Sequence, residues 1–406
     1  MLKKATHLSE ILSAFPQAPL QEDEFDEFYI YADKERDSSL SRVDELKEKL
    51  LKDNNKILFA GHRGSGKSTE INRLTRDITS KYFIVKFSVT QELDVIDLNY
   101  IDLVMIMMEQ IAEQSEAAGL IEKNSKHLEK IKNWLADITQ TKAEDTGYMI
   151  EVGAGLKTDK GALSLFIGLI AEFKAAVKSS TSYKKEFRRK IEERVNILKG
   201  YCNVLINEII PKLKAQGKQL LVIIEDIDKA EIAKTHEIFF GHSGVLSDLN
   251  TGIIFTVSSF ALTTPNLADL RGRYEIVRLP MLKVKEKNGN DYNKGINIVR
   301  EIVKKRSELS LFDENVLGTM IERSGGVLRD LFEMIVIAAS SAKFRNLDII
   351  DRKASDYAFE RLKTDYRGMI TVWGNTGITT DDLYNRLMEV NESVTKEFSL
   401  DPIFTT

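Results

Sequence analysis

The sequence predicts an α/β fold: a parallel sheet carrying a large, mainly helical insertion and followed by a helical C-terminal region. Three observations predict it. Five short runs, "KILFA" (56–60), "YFIVKFSVT" (82–90), "QLLVIIEDID" (219–228), "GIIFTVSS" (252–259) and "YEIVRLP" (274–280), are rich in β-branched and apolar residues. Several are continuously apolar rather than alternating, as expected of parallel strands covered on both faces. Helical patterns separate the strand patterns, and after Pro280 only helical patterns follow.

In chain order, residues 1–40 form an N-terminal segment holding an acidic and aromatic cluster, "QEDEFDEFYIY". In "SSLSRVDELKEKLL", Val43, Leu46 and Leu50 recur at helical spacing, so a helix leads into the first strand. "KSTEINRLTRDITSKY" places Ile71, Leu74 and Ile78 on one helical face, and the second strand follows it. From about 92 to 218 the patterns are mainly helical, including a long charged helix from Ser182 to Leu213. Within this insertion "YMIEVGAGLKTDKGALSLF" reads as a hairpin turning at residues 158–161, whereas "ALSLFIGLIA" alone reads as a buried amphipathic helix. Four helical patterns, "GINIVREIVKKRS", "FDENVLGTMIERS", "VLRDLFEMIVIAASSAKF" and "DRKASDYAFERLKTDY", make a small helical domain. The expected domains are a core over 41–282, a helical lid over 283–365 and a C-terminal tail over 366–406 with one helix pattern, "TTDDLYNRLMEV".

Composition bounds the function. The 406 residues are 43% hydrophobic and 30% charged, enough for two or three packed domains. A formal net charge of −4 gives no global attraction for a polyanion, so nucleic acid is possible as a partner but is not indicated by net charge. Cys202 is the single cysteine, which excludes an intrachain disulfide and a cysteine-built zinc site and fits a reducing, cytoplasmic setting. The N-terminus lacks the apolar core of a signal peptide and reads as mature sequence. The ten-residue run Ala162–Ala171 is about half of what a membrane span needs, so no membrane contact is expected.

The chemistry begins at "GHRGSGKST". Gly61, His62, Arg63, Gly64, Ser65, Gly66, Lys67 and Ser68, followed by Thr69, satisfy G-x-x-x-x-G-K-[ST] between a strand and a helix. Glycines let successive backbone N–H groups turn inward on phosphate oxygens, and the helix N-terminus adds its positive dipole end. Lys67 is expected to reach the β and γ phosphates and Ser68 to ligate Mg²⁺, so ATP with Mg²⁺ is the expected ligand. His62 and Arg63 read as spacers whose backbone matters. Hydrolysis also needs acids at a neighbouring strand end. "LLVIIEDID" supplies Glu225 at the metal-side position and Asp226 at the water-activating one, with Asp228 in reserve.

With these motifs the chain resembles AAA+ and STAND-like P-loop ATPases, and specifically the stand-alone bacterial ATPases of defence or mobile-element loci. The resemblance covers about residues 41–365 and implies a P-loop NTPase sheet with a helical lid. In that family the second motif ends in Asp-Glu; here Glu225-Asp226 is reversed, which implies slow hydrolysis. The resemblance assigns Ser258, rather than Ser259, as the polar sensor at the end of the next strand. It makes Arg271 or Arg273 an arginine finger reaching a neighbouring subunit, and Arg329 in "SGGVLRDL" a sensor in the lid. It also brings the segment before the first strand to the base pocket, where Tyr29 and Tyr31 either meet adenine or pack in the core.

The function so implied is an ATP-hydrolysing switch that forms homo-oligomers and controls a protein effector, in a setting such as anti-phage defence. The alternative is a DNA-dependent loader or remodeller of the initiator or transposition type. A small-molecule kinase and a non-hydrolysing ATP-binding module are further rivals. The basic helix around Arg188 and Arg189 carries interspersed glutamates and reads as solvated.

Overall fold

The computed structural model describes residues 2–34, 41–93, 95–146, 161–179, 181–263, 267–370 and 379–393. Its sheet has five strands: β1 (Lys56–Gly61), β2 (Tyr82–Ser88), β3 (Gln219–Glu225), β4 (Gly252–Val257) and β5 (Glu275–Leu279). The order is β2-β3-β4-β1-β5, and the β2/β3, β3/β4 and β4/β1 ladders are parallel. The apolar runs form strands because both faces are covered: every residue of β1 is buried, as is β3 from Leu220 to Glu225. This is the predicted α/β arrangement, a parallel sheet with a mainly helical insertion and helices after it.

Among the described residues, the helices of eight residues or more run as follows. Before and after β1 come α1 (Arg42–Lys49) and α2 (Lys67–Ile78). The insertion holds α3 (Tyr100–Ala117), α4 (Lys126–Thr146), α5 (Ala162–Ser179), α6 (Thr181–Glu192) and α7 (Val195–Ala215). The C-terminal region holds α8 (Asn293–Arg306), α9 (Val316–Arg323), α10 (Leu328–Phe344), α11 (Arg352–Met369) and α12 (Thr380–Glu392).

Two expectations are corrected. The single charged helix is two, α6 and α7, because Arg194 leaves helical geometry at φ −121°, ψ 23°. The hairpin over 148–166 lies outside the described residues up to position 160, and its second arm is the start of α5. There Leu163, Phe166, Leu169, Ile170 and Phe173 are all buried, a spacing that buries one stripe of a helix and would split a strand between faces.

The chain divides into two compact units. One comprises Glu45–Ala60 and Leu74–Arg278; its core joins the sheet residues Leu58, Val85, Val222, Ile224 and Phe255 to α3, α5 and α7. The other comprises Met1–Asp44, Gly61–Arg73 and Leu279–Thr406; its core joins Ile11 and Phe15 to α8, α9, α10 and α11. The boundaries fall at the end of β1 and within α2, so the glycine-rich loop belongs to the second unit.

Candidate functional site

Gly61–Ser68 joins the end of β1 to the start of α2 in a glycine-rich loop. Gly64 and Gly66 sit at φ +82° and +94°, which L-residues with a Cβ seldom adopt. A Cβ on Gly64 would also lie 3.0 Å from Val327 Cγ1 and 3.2 Å from Arg329 Cβ. The loop and the start of α10 are thus in contact, and Arg329, whose carbonyl accepts from Gln17 Nε2 at 3.1 Å, stands beside the cradle. Gly326 in the same "SGG" turn has φ +84°, and a Cβ there would fall 1.9 Å from Leu282 O.

The polar atoms of the cradle are arranged inward. Lys67 Nζ donates to Gly61 O at 2.9 Å and to His62 O at 3.1 Å. Ser65 Oγ is buried without a hydrogen-bond partner among the described residues. Burial, and then the Lys67 ammonium, lower the His62 pKa, so the imidazole is neutral near pH 7. Arg63 lies within the field of Asp330, whose carboxyl is raised by burial and accepts from Tyr366 Oη at 2.7 Å.

Tyr29, left open between base pocket and core, is tied to the loop's helix. Its hydroxyl meets both Glu70 carboxylate oxygens at 3.1 Å and accepts from Arg73 Nη1 at 2.8 Å. The Arg73 guanidinium stacks 4.7 Å from the Tyr31 ring and 5.1 Å from that of Tyr29.

In the other unit the acids stand at the carboxyl edge of the sheet. Glu225 ends β3, 9% exposed; Oε2 is 2.8 Å from Lys86 Nζ, and Oε1 is buried without a hydrogen-bond partner among the described residues. Asp226 turns into the left-handed region at φ +71°, and its N–H donates to Thr256 Oγ1 at 2.9 Å. Its carboxylate accepts from Ser88 Oγ and from Thr90 Oγ1 (3.0 Å) and pairs with Lys229 Nζ at 2.9 Å. Burial alone would raise the Asp226 pKa, but the Ser88, Lys229 and Thr90 contacts outweigh it and hold the carboxyl below its usual range. It is therefore a weak base.

Ser258 lies just past β4 and its Oγ accepts from Phe260 N at 3.3 Å. Arg273 is engaged, with Nη1 at 3.2 Å from Ser247 Oγ and 3.6 Å from Asp248 Oδ1. Arg271 is exposed and forms no ion pair among the described residues. Sequence reading missed Lys86, Ser88, Thr90 and Lys229 around the acids; "KFSVT" at the end of β2 held the signal, since β2 pairs with β3 and Ser88 is in register with Glu225. A cavity of about 180 Å³ lined by Tyr82, Leu213 and Asn250 lies at the amino ends of the strands, the edge away from the acids.

Magnesium fits the residue types present. No cluster of three His, Cys, Asp or Glu able to hold a metal exists among the described residues. A P-loop magnesium site needs only one hydroxyl and one acid, with substrate phosphates and water completing the shell. The unpartnered Glu225 Oε1 supplies an acid oxygen that lacks a donor. Among the described residues no helix is long and apolar enough to cross a membrane.

No family model and no curated protein matches the chain. Solved structures do. The Aeropyrum pernix ORC1 protein in complex with DNA is 11% identical, with a TM-score of 0.41, covering 94% of this chain and 76% of that one. Aeropyrum pernix ORC2 in ADPNP–ADP complexes is 11% identical at a TM-score of 0.39, covering 84% and 71%. Drosophila ORC bound to DNA is 9% identical at 0.39, covering 95% and 72%.

Proposed function

We propose that this chain binds ATP with Mg²⁺ in the Gly61–Thr69 cradle and hydrolyses it slowly as a molecular switch. The observation that carries the reading is the cradle itself: two glycines in left-handed geometry, an orphaned Ser65 hydroxyl and a lysine curled over the loop carbonyls at the start of α2. Phosphate oxygens would replace the Gly61 and His62 carbonyls as partners of Lys67 and accept from the loop amides. Ser68 and Glu225 would hold Mg²⁺, which neutralises charge on the phosphates when bound. Asp226 orients the attacking water, and its side chain, one methylene shorter than a glutamate's, makes turnover slow. Arg329 senses the nucleotide from the first turn of α10, Ser258 is the polar sensor after β4, and a neighbouring subunit contributes an arginine.

On this reading the core over 41–282 and the lid over 283–365 are the working domains, and the assembly is a homo-oligomer acting on a protein effector, as in a defence system. The alternative is a DNA-dependent loader, which requires salt-sensitive DNA binding and DNA-stimulated hydrolysis.

Titration of a fluorescent ATP analogue against wild type and Lys67→Ala tests the site. Lys67→Ala should lose binding by at least about tenfold, and wild-type affinity in that variant would overturn the assignment. Asp226→Asn should retain ATP and release little phosphate.

A further inference from the structure

Each acid at the end of β3 carries its own ammonium: Lys86 on Glu225 at 2.8 Å and Lys229 on Asp226 at 2.9 Å. The first pair is built into the sheet. Lys86 is in register with Ile223 and Ser88 with Glu225, so Lys86 and Glu225 emerge on the same face of adjacent strands. Val85 and Phe87, which flank Lys86, point the other way and are buried. The pairing is one-sided, because Lys86 takes Oε2 and leaves Oε1 buried without a donor.

Glu225 and Asp226 are thus each offset by an ammonium in contact. A divalent cation arriving alone would have to approach Glu225 against a positive charge already in contact with it, and its attraction to the acid is cancelled at short range. Magnesium also gives up its water reluctantly and is held in such sites with the help of substrate phosphates. We propose that Lys86 is a resident counter-cation of Glu225 that makes divalent-metal binding conditional on nucleotide. The triphosphate brings the negative charge that lets the metal compete with the ammonium. This rests on the reading of Glu225 as the metal-side acid.

The test is Mn²⁺ titration of the nucleotide-free chain, followed by electron paramagnetic resonance, in wild type, Lys86→Met, Lys86→Arg and Lys86→Met/Glu225→Gln. Wild type and Lys86→Arg should leave Mn²⁺ free, with a Kd above roughly 1 mM, while Lys86→Met should bind one Mn²⁺ at least about tenfold more tightly. Adding Glu225→Gln should remove the gain. Should the bare acid unfold Lys86→Met, Lys86→Gln keeps a neutral donor to Oε2 while removing the charge, and the same gain is expected of it. No gain in either variant, or a gain that survives Glu225→Gln, overturns the proposal. ATP-analogue binding measured with Mg²⁺ on wild type separates the two ideas: its absence sinks the nucleotide reading, whereas its presence with no Mn²⁺ gain in Lys86→Met sinks only the role of Lys86.

Discussion

Lys56 begins β1 with a side chain only 2% exposed, and its ammonium donates to two backbone carbonyls, Asn54 O at 2.5 Å and Leu249 O at 2.9 Å. No carboxylate among the described residues is paired with it. Burial lowers its pKa to about 8, with a partial offset from Asp248. Unfolded lysine titrates near 10.5, so between pH 8 and 10.5 the unfolded chain binds more protons than the folded one, and stability rises with pH across that window. Each pKa unit corresponds to about 1.4 kcal/mol, so wild type should gain roughly 3 kcal/mol relative to Lys56→Met between those limits. Urea denaturation of both proteins at pH 7.5 and 10.5 measures it. Tyrosines such as Tyr29 and Tyr274, whose pKa values burial raises, act in the opposite direction above pH 10, but equally in both proteins. A flat difference between the two curves would show that Lys56 is not desolvated.

At the scale of elements, α6 shows why a charge pattern misleads. Its lysines, arginines and glutamates read as a solvated helix, yet Arg188 is mostly buried. Its guanidinium grips Asp102 through Nε and Nη2, Asp97 Oδ2 through Nη1 at 3.2 Å and Asp97 O through Nη2 at 2.6 Å. Asp102, at 0% exposure, also caps α3 by accepting from Asn99 N at 3.1 Å. Arg188→Ala would leave that carboxylate buried without its partner and should cost about 3–5 kcal/mol, whereas Arg188→Met/Asp102→Leu should recover most of the loss. Denaturant midpoints report both, and equal losses in the single and double variants would contradict the pairing. What was legible in the sequence follows the same division. The strands, the four C-terminal helices and the Gly61–Thr69 loop are written locally, in apolar runs, helical periods and glycine spacing. The Ser88–Asp226 and Arg188–Asp102 contacts join residues 138 and 86 positions apart, and only strand register and helix packing bring them together.

For the whole molecule, the proposed homo-oligomer would take its trans arginine from Arg271 or Arg273. Arg273 is held by Ser247 and Asp248, and Asp248 is further held by Lys199 at 2.8 Å, so releasing it would break a surface network. Arg271 has no such ties among the described residues, so it is the better candidate for the arginine supplied in trans. If subunits share sites, Arg271→Ala retains an intact cradle and Lys67→Ala retains an intact arginine; each alone should hydrolyse ATP poorly. Mixed in equal amounts, they should restore about a quarter of the wild-type interfaces by random assortment in a closed ring. Phosphate release from the mixture should then exceed the mean of the two separate samples, and should do so only at concentrations where mass photometry shows assembly. Arg273→Ala mixed with Lys67→Ala should give no such excess. A mixture of the first pair that never rises above the mean would mean that each site works with its own chain's residues alone.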